Sequence, residues 1–276
     1  MNARKVIAVV NQRSGVGATA AVLSIGRALV KRGQKVLMVD LDPQSSLTAV
    51  CGVEHTSSAS MGEVLGGALS GRLSMHDILR DISPGQVLML APADASLSHT
   101  EMGLQSRMGR MDVLRSALGT VRPMFDVILL DCPPNLGMLT MNALEAADGV
   151  LIPSKPDVSD LRALWLLLAA LEKVKQELNP RLDVIGVMIT NFNFRLEHHK
   201  AVLASMKAGG LKLIPDSIWH NLDEQSAHFE NAIYVPGSPE AQVELAKSME
   251  TWLKRGPSWR GGATKPLGIT KTHEEP

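Results

Sequence analysis

The residues best suited to chemistry begin at Gln12-Arg13-Ser14-Gly15-Val16-Gly17-Ala18-Thr19. Gly15 and Gly17 can take backbone angles closed to other residues. The N–H groups of Ser14, Gly15, Val16, Gly17, Ala18, Thr19 and Ala20 can then line a concavity for phosphate oxygens. A helix opening at this point adds partial positive charge. Thr19 stands where a hydroxyl can bind a magnesium ion bridging phosphates. Two further segments carry carboxylates. Asp40-Leu41-Asp42-Pro43-Gln44 follows one apolar run, and Asp131 ends another, Phe125-Asp126-Val127-Ile128-Leu129-Leu130-Asp131. Asp and Pro also favour turns, but α/β proteins place chemistry at strand carboxyl ends. Asp131 has the pattern of a buried strand that delivers one carboxylate to a magnesium water shell.

Positioning these groups takes strands and helices in alternation. Val6–Val10 predicts a strand before the glycine loop, and Ala20–Arg32 a helix after it. Strand, glycine loop and helix form the context that a phosphate loop requires. Val36–Val39 and Val87–Leu90 predict a second and a third strand. Phe125–Asp131, Gly149–Pro153 and Val184–Thr190 predict three more. Short helices are expected over Met61–Leu69 and Met75–Asp81, and longer ones over Met108–Leu118, Ser159–Leu178 and Pro239–Arg255. Leu245, Met249 and Trp252 form the packing face of the last. The expected fold class is α/β. It is one domain, residues 1–255, with a mostly parallel twisted sheet covered on both faces. Residues 256–276, rich in Pro, Gly and Thr, are expected to form a flexible tail.

The loop departs from the general phosphate-loop pattern in two places. Gln12 stands where a Gly is usual, and Ala18 where a Lys is usual. The segment resembles the deviant Walker A loop of ParA/MinD-type ATPases, Lys-Gly-Gly-x-Gly-Lys-Thr. Arg13 takes the place of the early lysine, Ser14 that of the next glycine, and Ala18 that of the second lysine. Asp40–Gln44 resembles the family's Asp-x-Asp-Pro-Gln switch. Asp131-Cys132-Pro133-Pro134 resembles its Asp-x-Pro-Pro, and Asn142 matches a position the family commonly fills with Asn.

The resemblance implies ATP or ADP with magnesium as cofactors, sandwiched in a homodimer. It implies that Asp42 orients the attacking water and that Asp40 lies near the magnesium shell with Thr19 and Asp131. Arg13 would act in trans on the partner's nucleotide, although its planar fork is not an ammonium. Asn191, where a strand-end turn is the equal alternative, would read the base. Pro215 and residues 234–238 would border it. The family binds DNA nonspecifically once dimeric, and Arg195, Lys200, Lys207 and Lys212 are the basic residues that could do so here. An adaptor or ParB-like partner is implied as well, with contacts expected in residues 45–120. The function expected is a nucleotide-dependent dimerising switch for DNA segregation or cargo positioning. Without the residue-18 lysine, hydrolysis should be very slow or absent. The alternative is a catalytically dead pseudo-ATPase acting as a scaffold.

Composition narrows the classes. The 276 residues carry 28 Lys+Arg against 28 Asp+Glu, which argues against a protein that coats nucleic acid over its whole surface. Aromatics are 3% of the chain, so the core must be aliphatic, with 14 Met filling gaps. The two cysteines, Cys51 and Cys132, make no disulfide framework and suit a reducing cytoplasm, nucleoid-associated if DNA is bound. Cys132 reads as a small buried residue rather than a cluster ligand. No apolar run reaches the length of a membrane span, and no membrane association is expected. His198-His199 looks like a metal pair. Adjacent helical residues do not face each other, so a solvated helix start is expected there.

Overall fold

Short runs of Val, Ile and Leu become strands buried on both faces. The computed structural model describes residues 4–53, 59–67, 73–83, 85–193, 195–214, 247 and 249–254. Its strands are β1 (Lys5–Val9), β2 (Val36–Asp40), β3 (Arg80–Asp81), β4 (Leu88–Ala91), β5 (Val127–Asp131), β6 (Gly149–Ser154) and β7 (Asp183–Ile189). They join one sheet in the order β3-β4-β2-β5-β1-β6-β7. Every neighbouring pair is parallel except the β3–β4 edge.

Period-2 alternation divides each strand between two cores. Val6, Ala8, Ile128 and Leu130 face one side, with α3 (Met61–Gly67), α5 (Ser96–Gln105), α6 (Val113–Val121), α7 (Met138–Ala146), α8 (Val158–Glu177) and α9 (Glu197–Ala208). Ile7, Val9, Val127 and Leu129 face the other, with α1 (Ala18–Lys31) and α2 (Ser46–Val50). Met249 and Trp252, in the helical residues 249–254, seal that second core, and Trp252 Nε1 donates to Asp183 Oδ2 at 2.7 Å. Leu245, the third expected packing residue, lies outside the described residues, as does the expected tail.

Four stretches differ from expectation. The helix predicted over Met75–Asp81 stops at Ile78, as α4 (Met75–Ile78), with Ser74 and Asp77 forming a capping box. Leu79 is extended, and Arg80–Asp81 pairs antiparallel with β4. The helix predicted from Met108 begins at Val113, because Gly109 takes φ +69°. Helices α2 and α5 were not expected. Serine-rich sequence hid the first, and the second buries only Leu97 and Leu104.

Candidate functional site

Parallel pairing brings the carboxyl ends of β1, β2, β5 and β6 to one edge. Val9 is level with Asp131 and with Leu151, and Asp40 is level with Asp131. The glycine loop, Asp40–Gln44 and Asp131 therefore converge there. This is the convergence anticipated from sequence.

The loop's shape follows from left-handed glycines and three braces. Gly15 has φ +70° and Gly17 φ +83°, the latter capping α1. Asn11 Oδ1 accepts from Arg13 N–H at 2.8 Å, while Asn11 Nδ2 donates to the Pro153 carbonyl. Thr190, just past β7, donates through Oγ1 to the Val16 carbonyl at 2.7 Å. A Cβ on Gly17 would meet that Thr190 side chain at 3.6 Å. The first intrahelical bond of α1 runs from Ala21 N–H to the Gly17 carbonyl. Among the described residues, the N–H groups of Gly15, Gly17, Ala18, Thr19 and Ala20 have no protein acceptor. This is the anion-binding cradle that a helix start offers.

Asp40 and Asp131 are both buried, yet they are wired differently. Asp40 Oδ1 accepts from Asp42 N–H at 3.1 Å. Its Oδ2 accepts from Thr48 N–H at 2.9 Å and Thr48 Oγ1 at 2.7 Å. Thr48 Oγ1 in turn accepts from Ala93 N–H at 2.9 Å. Asp131 has no such set. The Thr19 hydroxyl faces its carboxylate and favours the charged form. Its Oδ2 has no hydrogen-bond partner among the described residues. Burial raises the Asp40 carboxyl to about 6, with the Asp42 charge adding and the Thr48 bonds opposing. Burial, and then the Asp40 charge, push Asp131 well above the carboxylate range. Asp42 is half-buried, and its Oδ1 accepts from Gln44 N–H at 2.9 Å.

Two cations flank the loop. Arg13 is exposed and forms an ion pair with Asp160, on the first turn of α8 in the same chain. The Asp160 carboxylate also accepts from Lys155 N–H. Burial pushes that carboxyl up and the Arg13 charge opposes it. Lys155 follows β6 directly, and its Nζ lies 3.9 Å from where a Cβ on Gly15 would sit. Ala18 opens α1 and packs partly against the second core, offering no charge.

Asn191 is exposed with φ 52°, the turn geometry that Asn tolerates. Pro215 and residues 234–238 lie outside the described residues. Arg195, Lys200, Lys207 and Lys212 are exposed on or beside α9, and Lys200 pairs with Glu197 at 2.7 Å. Asn142 is a brace: it accepts from Leu114 N–H and donates to the Arg110 and Met138 carbonyls. Cys132 is buried and its thiol is pushed up by burial, as a small core residue should be.

The histidine pair opens α9 as expected, but only His198 is solvated, and His199 is buried. His198 and His199 meet edge-on, ring centroids 4.5 Å apart, and each Nε2 lies 3.9 Å from Asp157 Oδ1. His199 Nδ1, however, accepts from Asn193 N–H at 3.0 Å. The neutral ring must then carry its proton on Nε2, which blocks the lone pair a metal needs.

Asn11, Thr48, Lys155, Asp160 and Thr190 were not singled out from sequence. Lys155 and Thr190 directly follow strands, and strand-end position was the signal that could have found them.

A family model for an AAA domain matches residues 4–184. An uncharacterised protein of Mycobacterium tuberculosis is 39% identical over 201 residues, 72% of this chain and 62% of that protein. The matched region thus spans less than two thirds of that relative's length. Chromosome partitioning protein ParA of Caulobacter vibrioides is 35% identical over 210 residues, 75% of this chain and 77% of that protein. Among solved structures, a Mycobacterium smegmatis protein described as cobyrinic acid a,c-diamide synthase, with bound ADP and magnesium, is similar with a TM-score of 0.69. It is 36% identical, and the match covers 75% of this chain and 82% of that one. With the glycine loop, the paired strand-end carboxylates and these relatives in agreement, the chain belongs to the ParA/MinD-type ATPase family.

Proposed function

We propose that this chain is a ParA-like switch that binds ATP with magnesium, dimerises around it, and turns it over very slowly or not at all. The observation that carries the reading is the Asp131 oxygen left without a partner among the described residues, in a side chain 1% exposed, opposite the Thr19 hydroxyl at the foot of the glycine loop. A buried carboxylate with a lone oxygen beside a second carboxylate is costly unless a cation is meant to sit there. Thr19 and Asp131 are the residues that would hold magnesium. When bound, the ion neutralises phosphate charge and the two carboxylates together. The amides of Gly15 to Ala20 would carry the phosphates. One Asp42 oxygen is fixed by Gln44 N–H, and the other would orient water.

Asp40 fits a different role from the metal position the resemblance implied. Its oxygens already serve Asp42 and Thr48, so it acts as the latch that ties the switch segment to α2 and β4. Ala18 is the ground for expecting slow turnover. A donor aimed at transition-state charge is worth on the order of 10²–10³ in rate. A switch without fast hydrolysis would stay on for long periods. The ParA relative supports partition or positioning of a cargo, and in this reading Arg195, Lys200, Lys207 and Lys212 on or beside α9 would bind DNA nonspecifically. A homodimer, an adaptor or ParB-like partner and a cytoplasmic location complete the reading.

Equilibrium titration with fluorescent ATP and magnesium, run beside a phosphate-release assay, tests it. Tight binding with little release is expected, and Ala18→Lys should raise release. A chain that binds no nucleotide in either form would instead be the scaffold.

A further inference from the structure

Ala18 gives the first turn of α1 no charge, and a lysine stands beside the loop from the end of β6. Strand β6 pairs with β1, Leu151 level with Val9, so the residue leaving β6 rises beside the loop leaving β1. That residue is Lys155. Its Nζ stands 3.9 Å from the Cβ position of Gly15, on the side where glycine leaves the loop open. Its main chain is pinned, because its N–H donates to the buried Asp160 carboxylate. Its ammonium forms no ion pair among the described residues. Arg13, the other cation at the loop, is bound to Asp160 instead. The side chain is half-buried rather than free in solvent. Its charge senses the Asp160 carboxylate, which Arg13 already engages, so a long amine beside a cradle of unpaired amides is left suited to phosphate oxygens.

We infer that Lys155 is a phosphate-binding residue of this site, supplying from the β6–α8 turn the cationic contact that the first turn of α1 does not. The ligand class is a nucleoside di- or triphosphate, and the inference rests on the nucleotide reading above. The consequence is a division of labour. Ground-state affinity is kept by an amine arriving from the side. Transition-state stabilisation from the helix start is not restored.

The test is binding of a fluorescent ATP analogue with magnesium to the full chain, measured by anisotropy. Lys155→Gln should weaken binding roughly 10- to 100-fold, the loss of one charge-assisted contact. Lys155→Arg should stay within about threefold. Adding Ala18→Lys to Lys155→Gln should recover most of the loss, which a structural role for Lys155 would not allow. If Lys155→Gln binds as tightly as the wild type, the inference falls and the nucleotide reading stands. Weak binding that neither the arginine variant nor Ala18→Lys repairs also overturns it. A wild type that binds neither ATP nor ADP overturns both.

Discussion

Asp40 and Asp131 end adjacent strands at the same level, and both are almost wholly out of water. One has every oxygen engaged by its own chain, while the other keeps an oxygen unpaired among the described residues. Burying a carboxylate is tolerable when donors surround it and costly when they do not. On the function proposed above, the difference separates a residue that shapes the site from one that would meet a ligand. Identical side chains at identical strand positions thus diverge because α2 brings Thr48 to the first, while α1 brings only a hydroxyl to the second.

The largest expected effect breaks the ligand side of this contrast. Asp131→Asn removes the charge that a cation would meet. Magnesium-dependent nucleotide affinity should drop roughly 10- to 100-fold, the usual range for disturbing a metal's surroundings. The nucleotide-free protein should melt higher, because a buried charge next to Asp40 is gone. Titration with and without magnesium, plus a thermal melt, checks both. Unchanged magnesium dependence would remove Asp131 from the metal site.

Thr48→Val sharpens the structural side. The hydroxyl donates to Asp40 and accepts from Ala93, so its loss leaves a buried N–H without an acceptor and weakens the carboxylate's shell. A destabilisation of about 2–3 kcal/mol is expected from one broken buried network. Chemical denaturation measures it. Had Asp40 been the metal ligand and Thr48 incidental, the midpoint would barely move.

Much of this arrangement could be read in the sequence. Gly15, Gly17, Thr19, Asp42 and Asp131 came from spacing, because strand–loop–helix order fixes which residues reach the carboxyl edge. The main strands came from apolar runs, since a sheet buried on both faces cannot disguise its composition. Residues brought in from afar in sequence could not be read that way. Thr190 reaches the Val16 carbonyl, 174 residues back along the chain, and Thr48 reaches Asp40 through a five-residue helix that no periodicity announces. Lys155 and Asp160 depend on β6 lying beside β1, a fact of strand order rather than of local pattern. Arg13 shows the limit most plainly. Nothing in the loop's spacing announces its ion pair with Asp160, which only the fold brings beside it.

The smallest effect is a pH slope, and it tests the two carboxylates together. Asp40 titrates near 6 in the folded chain, against an ordinary value of 3.8, and Asp131 is raised further in the same direction. Below pH 6 the folded state therefore holds more protons than the unfolded one. Stability from these groups rises as pH falls toward 4 and is lost as pH climbs through the folded values. His199 works the other way: burial lowers its folded value, so acidification charges the unfolded state first. The useful quantity is thus a difference between proteins. Between pH 7.5 and 5.5 the nucleotide-free wild type should gain a few degrees of melting temperature relative to Asp131→Asn, at about 2–4 °C per kcal/mol for a domain of this size. Saturating magnesium should shrink that gain, since a bound cation competes with the protons. Parallel slopes for the two proteins would mean that the paired carboxylates do not sense each other, and the contrast drawn between them would lose its electrostatic basis.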